Sequence, residues 1–316
     1  MNTFDFDITF IGTALVDSIV RGLDPTPVSA TGYRAESGGL YVGGEAVNGS
    51  LAAAKLGLRP RILCSLGQDP AGDLVVSALE AGGVDTSAVL RSADQSTPVS
   101  TLLVREDGSR RSITNAAHRY NFHPERYGEC FARSRALVLG SLFRAPFDDP
   151  DVVAGILNAP EAEGALILAD TKLPNFRKLT LDDLRESLPK IDYIFPNEDE
   201  GRYCTEQRDP EAMADVFLDY GVKNVIVKLG AQGCFFKNHR ETLRLDAFPI
   251  RAVDATGAGD CFLAGFAASL LAGEDHKTAL RFANACGALC TTAMGASAGL
   301  RDRAQAEAFL ASAPMG

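Results

Sequence analysis

The stretch Val253-Asp-Ala-Thr-Gly-Ala-Gly-Asp260 is the most informative part of the sequence, because its loop of small residues leads directly into a long apolar segment that starts at Cys261. Gly257, Ala258 and Gly259 have almost no side chains, so their backbone N–H groups can approach a ligand closely. Free N–H groups at the start of a helix form a ready site for an anion. The stretch therefore predicts an anion hole at the beginning of a helix.

Asp260 lies within this turn, and two roles are open for it. It is either a first-turn carboxylate whose negative charge interacts favourably with the helix dipole, or a base that accepts a proton from a hydroxyl attacking phosphorus. The chain has no G-x-x-x-x-G-K-[ST] loop and no G-x-G-x-x-G after its first strand. The sequence therefore argues against a P-loop protein and against a dinucleotide-binding protein.

Short apolar runs rich in β-branched residues alternate with helix-like stretches along the chain. The strand-like runs are Ile8–Ile11, Arg61–Leu66, Ala136–Leu139, Ala165–Ala169, Tyr193–Phe195 and Val225–Leu229, and the helix-like stretches are Ala46–Leu56, Ala71–Ala81, Leu181–Leu188 and Pro210–Tyr220. This alternation predicts an α/β fold with a doubly wound, mostly parallel sheet flanked by helices. Because no linker or repeat divides the chain, we expect residues 1–316 to form a single domain.

Two segments, about residues 14–42 and 97–117, break this alternation. The second contains Asp107-Gly108 between two runs of alternating polarity, which is a strong hairpin signal. We expect the two segments to form a small antiparallel β lid over a substrate, with an ordinary surface hairpin as the alternative. A sheet face exposed by such a lid also predicts a homodimer.

The composition narrows the class of protein. The net charge is −10 and no segment gathers Lys and Arg into a stripe, which argues against a nucleic-acid partner. The seven Cys form no CxxC pair and the four His have no zinc-like spacing. The chain has neither an N-terminal signal-peptide pattern nor an apolar run long enough for a bilayer. We therefore expect a cytoplasmic protein with reduced thiols and no membrane partner.

The run Asp254–Asp260 resembles the C-terminal signature of the ribokinase (pfkB-type) carbohydrate kinases. Three further elements follow the order of that family: Gly43-Gly-Glu-Ala-Val-Asn48, Pro196-Asn-Glu-Asp-Glu200 as an N-x-x-E element, and Lys228-Leu-Gly-Ala-Gln-Gly233. Together they cover nearly the whole chain, and they look most like a little-characterised bacterial sugar-kinase branch of the family.

The resemblance implies a ribokinase-like fold and transfer of the γ-phosphoryl group of ATP to a hydroxyl of a small sugar or sugar derivative. It also implies a role for individual residues. Asp260 would be the base; Gly257, Ala258 and Gly259 the anion hole; Asp17, Gly43, Gly44 and Asn48 the substrate site; Asn197, Lys228, Gly230, Gly233, Thr256 and Asn284 the nucleotide site; Glu200 a Mg²⁺ ligand through water; and Asp254 a ligand of a monovalent cation such as K⁺.

Each of these residues also has a simpler interpretation. Gly43-Gly44 could form only a turn, Asn197 and Glu200 could cap a helix, and Asp17 could be a surface acid. Lys228 stands where many family members have Thr or Ser, so it could contact phosphate or point to solvent. The family often has Ser in the cation loop where this chain has Gly299.

The acceptor is the least constrained part of the prediction. Asn115 and His118, at the end of a lid strand, are placed to face a substrate. An inward-facing lid arginine would favour a sugar phosphate or sugar acid; the candidates are Arg105, Arg110, Arg111 and Arg119. Two alternatives to a sugar kinase stay open: a nucleoside or pseudonucleoside kinase of the same fold, and a non-catalytic sugar-binding regulatory protein.

Overall fold

A computed structural model describes residues 4–23, 34–105, 110–115, 122–131, 133–175 and 177–312. The described strands are β1 (Phe6–Ile11), β2 (Leu15–Leu23), β3 (Ser37–Gly43), β4 (Pro60–Gly67), β5 (Val89–Ser92), β6 (Val99–Arg105), β7 (Arg110–Thr114), β8 (Ser134–Leu142), β9 (Leu166–Thr171), β10 (Tyr193–Phe195), β11 (Asn224–Lys228), β12 (Cys234–Asn238) and β13 (Thr242–Leu245). The described α-helices are α1 (Glu45–Lys55), α2 (Pro70–Ala81), α3 (Pro150–Leu157), α4 (Glu198–Thr205), α5 (Pro210–Asp219), α6 (Ala258–Leu271), α7 (His276–Cys290) and α8 (Arg303–Ser312).

The large sheet has the strand order β13-β12-β11-β10-β9-β8-β1-β4-β5. All of its neighbouring pairs from β11 to β5 are parallel, and β12 and β13 add an antiparallel edge. The apolar runs that predicted parallel strands therefore form them, because strands covered on both faces need continuous apolar sequence. The predicted α/β architecture is confirmed.

Two apolar layers pack on opposite faces of this sheet. Phe10 and Val138 belong to one buried cluster, whereas their chain neighbours Ile11 and Leu139 belong to another. Successive side chains of a strand point to opposite faces, so the alternation assigns one cluster to each face. The first cluster also contains most of α6, which is buried from Cys261 to Ser269. The beginning of α6 is thus held firmly against the sheet.

The small sheet has the order β3-β2-β6-β7 and contains the two segments that break the α/β alternation. The hairpin prediction is confirmed for the pairing of β6 with β7, although Asp107 and Gly108 lie outside the described residues. The β2–β6 pair is parallel, because the chain between these strands passes through the large sheet and α1 and α2.

One helix prediction is wrong. Leu181–Leu188 forms short 3₁₀ turns at Asp182–Leu184 and Leu188–Lys190 instead of an α-helix. Leu181, Leu184 and Leu188 are buried as their spacing suggested. Pro189 disfavours helical backbone at the residue before it, and consecutive turns bury the same side chains.

Among the described residues, no helix is both long enough and apolar enough to span a membrane.

Candidate active site

The turn before α6 has the backbone conformation that the sequence predicted for an anion hole. Gly257 is the N-cap residue with φ of 76°, and a Cβ at this position would overlap the carbonyl oxygen of Ala296. Ala258 N–H closes a turn on the Ala255 oxygen at 3.2 Å. The amides of Gly259 and Asp260 donate to no described residue, and no side chain caps the helix. Free amides at the start of a helix suit an anion, so the geometry is compatible with the predicted anion hole.

Asp260 lies in the first turn of α6 and is hydrogen-bonded across to α1. The Asn48 side-chain amide donates to its Oδ2 at 2.8 Å. Asp260 is only partly exposed, and it lines a narrow crevice against the sheet. This burial raises the pKa of Asp260 to about 7, while the nearby Lys172 ammonium acts in the opposite direction. A carboxyl with this pKa can both accept and release a proton near neutral pH.

The Gly43-Gly44 step brings α1 close to the end of β1. Gly44 is the N-cap residue of α1 with φ of 100°, and a Cβ there would overlap the carbonyl oxygen of Thr13. Asp17 packs directly on Gly43, where a side chain would collide with its carboxylate. The pair is thus more than a turn, because it places a carboxylate beside the helix that carries Asn48.

Glu45 is a site residue that the sequence analysis missed. Its Oε1 accepts a hydrogen bond from the Thr13 N–H at 2.7 Å, and the side chain packs on Gly140. Glu45 lines a narrow crevice together with Asp170 and Asp260. Its position directly after the glycine pair was the available signal.

Lys228 points into the protein and not to solvent. Its Nζ lies 2.5 Å from Oδ1 of Asp170, and both side chains are largely buried. The same Nζ lies 3.4 Å from where a Cβ on Gly259 would be, so the lysine borders the anion hole. A backbone bridge between Lys228 and Asn197 joins the ends of β10 and β11 at this point.

Asn197 and Glu200 do cap α4, as their simpler interpretation required. Asn197 Oδ1 accepts from the Glu200 N–H, and Glu200 Oε2 accepts from the Asn197 N–H, each at 2.9 Å. The Thr171 hydroxyl also donates to Glu200 Oε2 at 2.8 Å. Burial of Glu200 raises its pKa. The cap fixes the orientation of this carboxylate at the edge of the sheet.

The described residues contain no group of three or more His, Cys, Asp or Glu side chains arranged to hold a metal ion. Mg²⁺ does not need such a group, because it keeps several waters and binds through one or two carboxylates together with phosphates. Glu200 suits this mode: Oε2 is used by the cap, whereas Oε1 bonds to no described residue.

Lys172 is a second residue that the sequence analysis missed. It follows β9, and its N–H donates to the Leu142 carbonyl oxygen at 3.0 Å. Burial acts to lower the pKa of Lys172. The nearby carboxylates, with Asp260 and Asp170 contributing most, outweigh burial and raise the pKa. Asp170 and Lys172 follow a predicted parallel strand, and ligands bind at the carboxyl ends of such strands.

Three more of the predicted nucleotide-site residues lie on a turn and on α7. Gly230 and Gly233 bound the turn between β11 and β12. The Asn284 side chain is nearly buried on α7 and donates to the Asp246 carbonyl oxygen at 3.4 Å, which connects α7 to the loop after β13.

The predicted cation loop is largely satisfied by protein donors. Asp254 Oδ1 accepts from the N–H and hydroxyl of Thr256, and Oδ2 accepts from the Gly295 N–H. Partial burial acts to raise the pKa of Asp254, but these hydrogen bonds outweigh it and lower the pKa. The Cys290 thiol lies 3.2 Å from the Ala296 carbonyl oxygen and 3.5 Å from that of Thr256. A Cβ on Gly299 would overlap the Leu289 oxygen. A seryl ligand has no room at that position.

Among the described residues, Asn115, Arg105 and Arg111 form no hydrogen bond or ion pair with this cluster of acids and lysines. Asn115 is exposed, and its Oδ1 accepts from the Val99 N–H at 2.5 Å, which ties together the base of the small sheet. Arg105 and Arg111 are exposed. The Arg110 side chain, His118 and Arg119 lie outside the described residues.

A doubly wound sheet that carries an uncapped helix start, a partly buried carboxylate and two lysines at one edge is compatible with a small-molecule kinase of the ribokinase-like fold. The pfkB family carbohydrate kinase model matches residues 7–303, and the chain belongs to this family.

Three known proteins show the range of the similarity. The chain is 29% identical to the 2-dehydro-3-deoxygluconokinase of Bacillus subtilis, covering 88% of this chain and 91% of that protein. It is 32% identical to the ATP-dependent ribose-1-phosphate kinase of Halopiger xanaduensis, covering 80% and 81%. The solved structure of Arabidopsis thaliana ribokinase complexed with ribose and ATP matches with a TM-score of 0.82 and 25% identity, covering 96% and 98%.

Proposed function

We propose that the protein transfers the γ-phosphoryl group of ATP to a hydroxyl of a small sugar, with Asp260 as the base. The observation that carries this proposal is the position of Asp260: it lines the crevice, accepts a hydrogen bond from Asn48, and carries one of the two free amides at the start of α6, where Lys228 approaches Gly259. A base with a pKa near 7 beside an anion hole is what a hydroxyl nucleophile requires.

The chemical step follows from this arrangement. The Asp260 carboxylate accepts the proton of the acceptor hydroxyl as its oxygen attacks the γ-phosphorus. The bond between that phosphorus and the bridging oxygen of ADP breaks, and ADP leaves with the electron pair. The amides at Gly259 and Asp260 stabilise the charge on the transferring group. Glu200 would hold Mg²⁺ through water, and the bound ion would neutralise phosphate charge.

We propose that the acceptor is an uncharged sugar and not a sugar acid or a sugar phosphate. Asp17, Glu45 and Asn48 approach the substrate side with two carboxylates and one amide. Carboxylates and amides are hydrogen-bonding partners of hydroxyl groups, and two carboxylates repel an acidic substrate.

The small sheet supports two further parts of the proposal. Its position next to Gly43 suits a lid that excludes water during transfer. Leu40 and Ile113 lie on the same row of the sheet, through Ser18 and Thr101, and they are 63% and 67% exposed. We propose that this face pairs with a second copy of the chain. Sedimentation of Ile113→Lys beside the wild type tests this: the variant should be monomeric where the wild type is dimeric.

The main test measures ADP release from MgATP with pentoses, hexoses, polyols, sugar acids, sugar phosphates and nucleosides, each beside Asp260→Asn. We expect turnover with a neutral sugar and a loss of at least about 10³-fold in kcat in the variant. MgATP affinity measured by calorimetry should persist in the variant. Near-normal kcat in Asp260→Asn would show that another group is the base. A wild-type protein that binds no nucleotide would instead be a non-catalytic binding protein.

A further inference from the structure

Lys172 is held at a strained part of the active-site edge. Its N–H is bonded to the carbonyl of Leu142, and the residues on either side, Ser141 and Phe143, have φ of 62° and 75°. Non-glycine residues rarely adopt such values, and they persist where the surrounding structure enforces them, often at functional sites. Phe143 is fully buried. The backbone position of Lys172 is therefore strongly determined.

The Lys172 ammonium makes no hydrogen bond or ion pair with any residue that the structure describes. It nevertheless lies in the field of four carboxylates, those of Asp260, Asp170, Glu45 and Glu200, in decreasing order of effect. A half-buried cation without a direct partner is costly, and its retention in a cleft points to a ligand.

The two lysines of the site differ in how their charges are used. Lys228 is paired with Asp170 at 2.5 Å, so part of its charge is already neutralised. Lys172 has no such pair. Asp260 lies on the acceptor side and Glu200 on the nucleotide side, and the charge of Lys172 acts on both. Lys172 directly follows the end of β9, two residues after Asp170, which lines the crevice with Asp260.

We propose that Lys172 is a catalytic residue that binds the γ-phosphoryl group of ATP while it passes to the acceptor hydroxyl. This inference rests on the proposed kinase function. A phosphoryl group carries negative charge into an edge lined by four carboxylates, so it needs a cation that is not already paired. Lys172 keeps its proton throughout and stabilises the charge on the transferring oxygens, whereas Asp260 takes the proton of the hydroxyl.

The experiment uses Lys172→Met, Lys172→Arg and the control Lys178→Met. Lys178 is an exposed lysine on the loop after β9, outside the site. Calorimetry measures the affinities of MgATP and MgADP for each protein, and steady-state kinetics measures kcat and KM. In Lys172→Met we expect MgATP to bind at least about tenfold more weakly, MgADP to bind as in the wild type, and kcat to fall about 10²- to 10³-fold. Lys172→Arg should recover part of the kcat, and Lys178→Met should match the wild type.

Several outcomes would overturn the inference, and each has its own signature. Equal weakening of MgATP and MgADP in Lys172→Met, with a lowered melting temperature, would mean a structural role. Unchanged nucleotide affinities with a raised KM for the sugar alone would assign Lys172 to the acceptor site. A wild-type protein that binds nucleotide and turns over sugar, with Lys172→Met indistinguishable from it, would overturn this inference and leave the kinase function standing. Failure of the wild type to bind nucleotide would overturn both.

Discussion

The starts of α4 and α6 lie at the same edge of the large sheet, yet they use their first turns differently. At α4, Asn197 and Glu200 exchange side-chain and backbone hydrogen bonds, and the helix caps itself. At α6, the N-cap residue is Gly257, and no side chain bonds to the first-turn amides. The acid of that turn, Asp260, bonds instead to Asn48 on another helix.

This difference separates a scaffold from a reactive site. In a capped helix start, side chains accept hydrogen bonds from the first amides and stabilise the helix. In an uncapped start, these amides can bind a ligand. The two acids follow the same rule. Burial raises the pKa of both carboxyls, but Glu200 accepts hydrogen bonds from Asn197 and Thr171 on one oxygen, whereas Asp260 accepts one from Asn48 on another helix. We infer that the start of α4 fixes the orientation of Glu200, whereas the start of α6 carries the reacting carboxylate, Asp260.

The largest expected effect is the pH dependence of kcat/KM. Burial raises the pKa of Asp260 to about 7, so the carboxyl is protonated below that pH and cannot accept the hydroxyl proton. We expect kcat/KM to fall about tenfold for each pH unit below 7 and to level off above it. Initial rates between pH 5 and 9, at fixed ionic strength and saturating MgATP, measure this limb.

Glu200→Gln is the control that assigns the limb, because burial raises the pKa of Glu200 as well. Glutamine preserves the acceptor oxygen of the cap, so α4 should remain intact. If the acidic limb stays near pH 7 in this variant, the titrating group is Asp260. Disappearance of the limb would move the titration to α4 and would break the contrast between the two helices.

The second effect concerns the uncapped turn itself. Gly257→Ala should lower the free energy of unfolding by about 3 kcal/mol, because the new Cβ meets the Ala296 oxygen and φ is positive. Gly273→Ala is the matched control, since Gly273 has φ of 91° but open space around it, and it should cost about 1 kcal/mol. Urea unfolding measures both. Equal losses would show that backbone strain alone, and not the close approach to Ala296, requires glycine at position 257.

Much of the fold was predictable because buried parallel strands need continuous apolar runs. Each of the strand-like runs overlaps a strand of the large sheet. Leu181–Leu188 failed because its apolar spacing fits consecutive 3₁₀ turns as well as an α-helix. Asp260, Asn48 and Lys228 were predicted from motifs, and the structure brings them to one edge, but their roles stay predictions.

The residues that were missed share a physical cause. Glu45, Asp170 and Lys172 act through charges that meet only when separate strands and helices come together. Asp170 lies at the carboxyl end of β9 and Lys172 follows the strand directly, so the rule that ligands bind at the carboxyl ends of parallel strands could have found them. The pairing of Lys228 with Asp170, 58 positions apart, has no local signal in the sequence.

The third prediction tests whether the cap of α4 is mainly structural. Asn197→Ala should lower the free energy of unfolding by about 1 kcal/mol, because the Glu200 amide loses its acceptor. Asp209→Ala removes a similar cap at α5, where Asp209 accepts from the Ala212 N–H. The two losses of stability should be similar, but only Asn197→Ala should raise the Mg²⁺ concentration needed for half-maximal rate. A change of Mg²⁺ requirement in both variants would mean that general destabilisation causes it.

The smallest expected effect is the response to monovalent cations. The carboxylate of Asp254 accepts hydrogen bonds within its own loop, and the Cys290 thiol lies against the Ala296 carbonyl oxygen and against that of Thr256. A cation would have to displace these donors, and no serine fits at Gly299. We therefore expect kcat in K⁺ and in Na⁺ to agree within about twofold. Cys290→Ala sharpens the test, because it removes the thiol from both oxygens: a K⁺ response that appears only in this variant would show that the thiol takes the place of the ion. A K⁺ requirement in the wild type would show that the loop opens for the cation, so the start of α6 would depend on an ion where the start of α4 depends only on its own side chains.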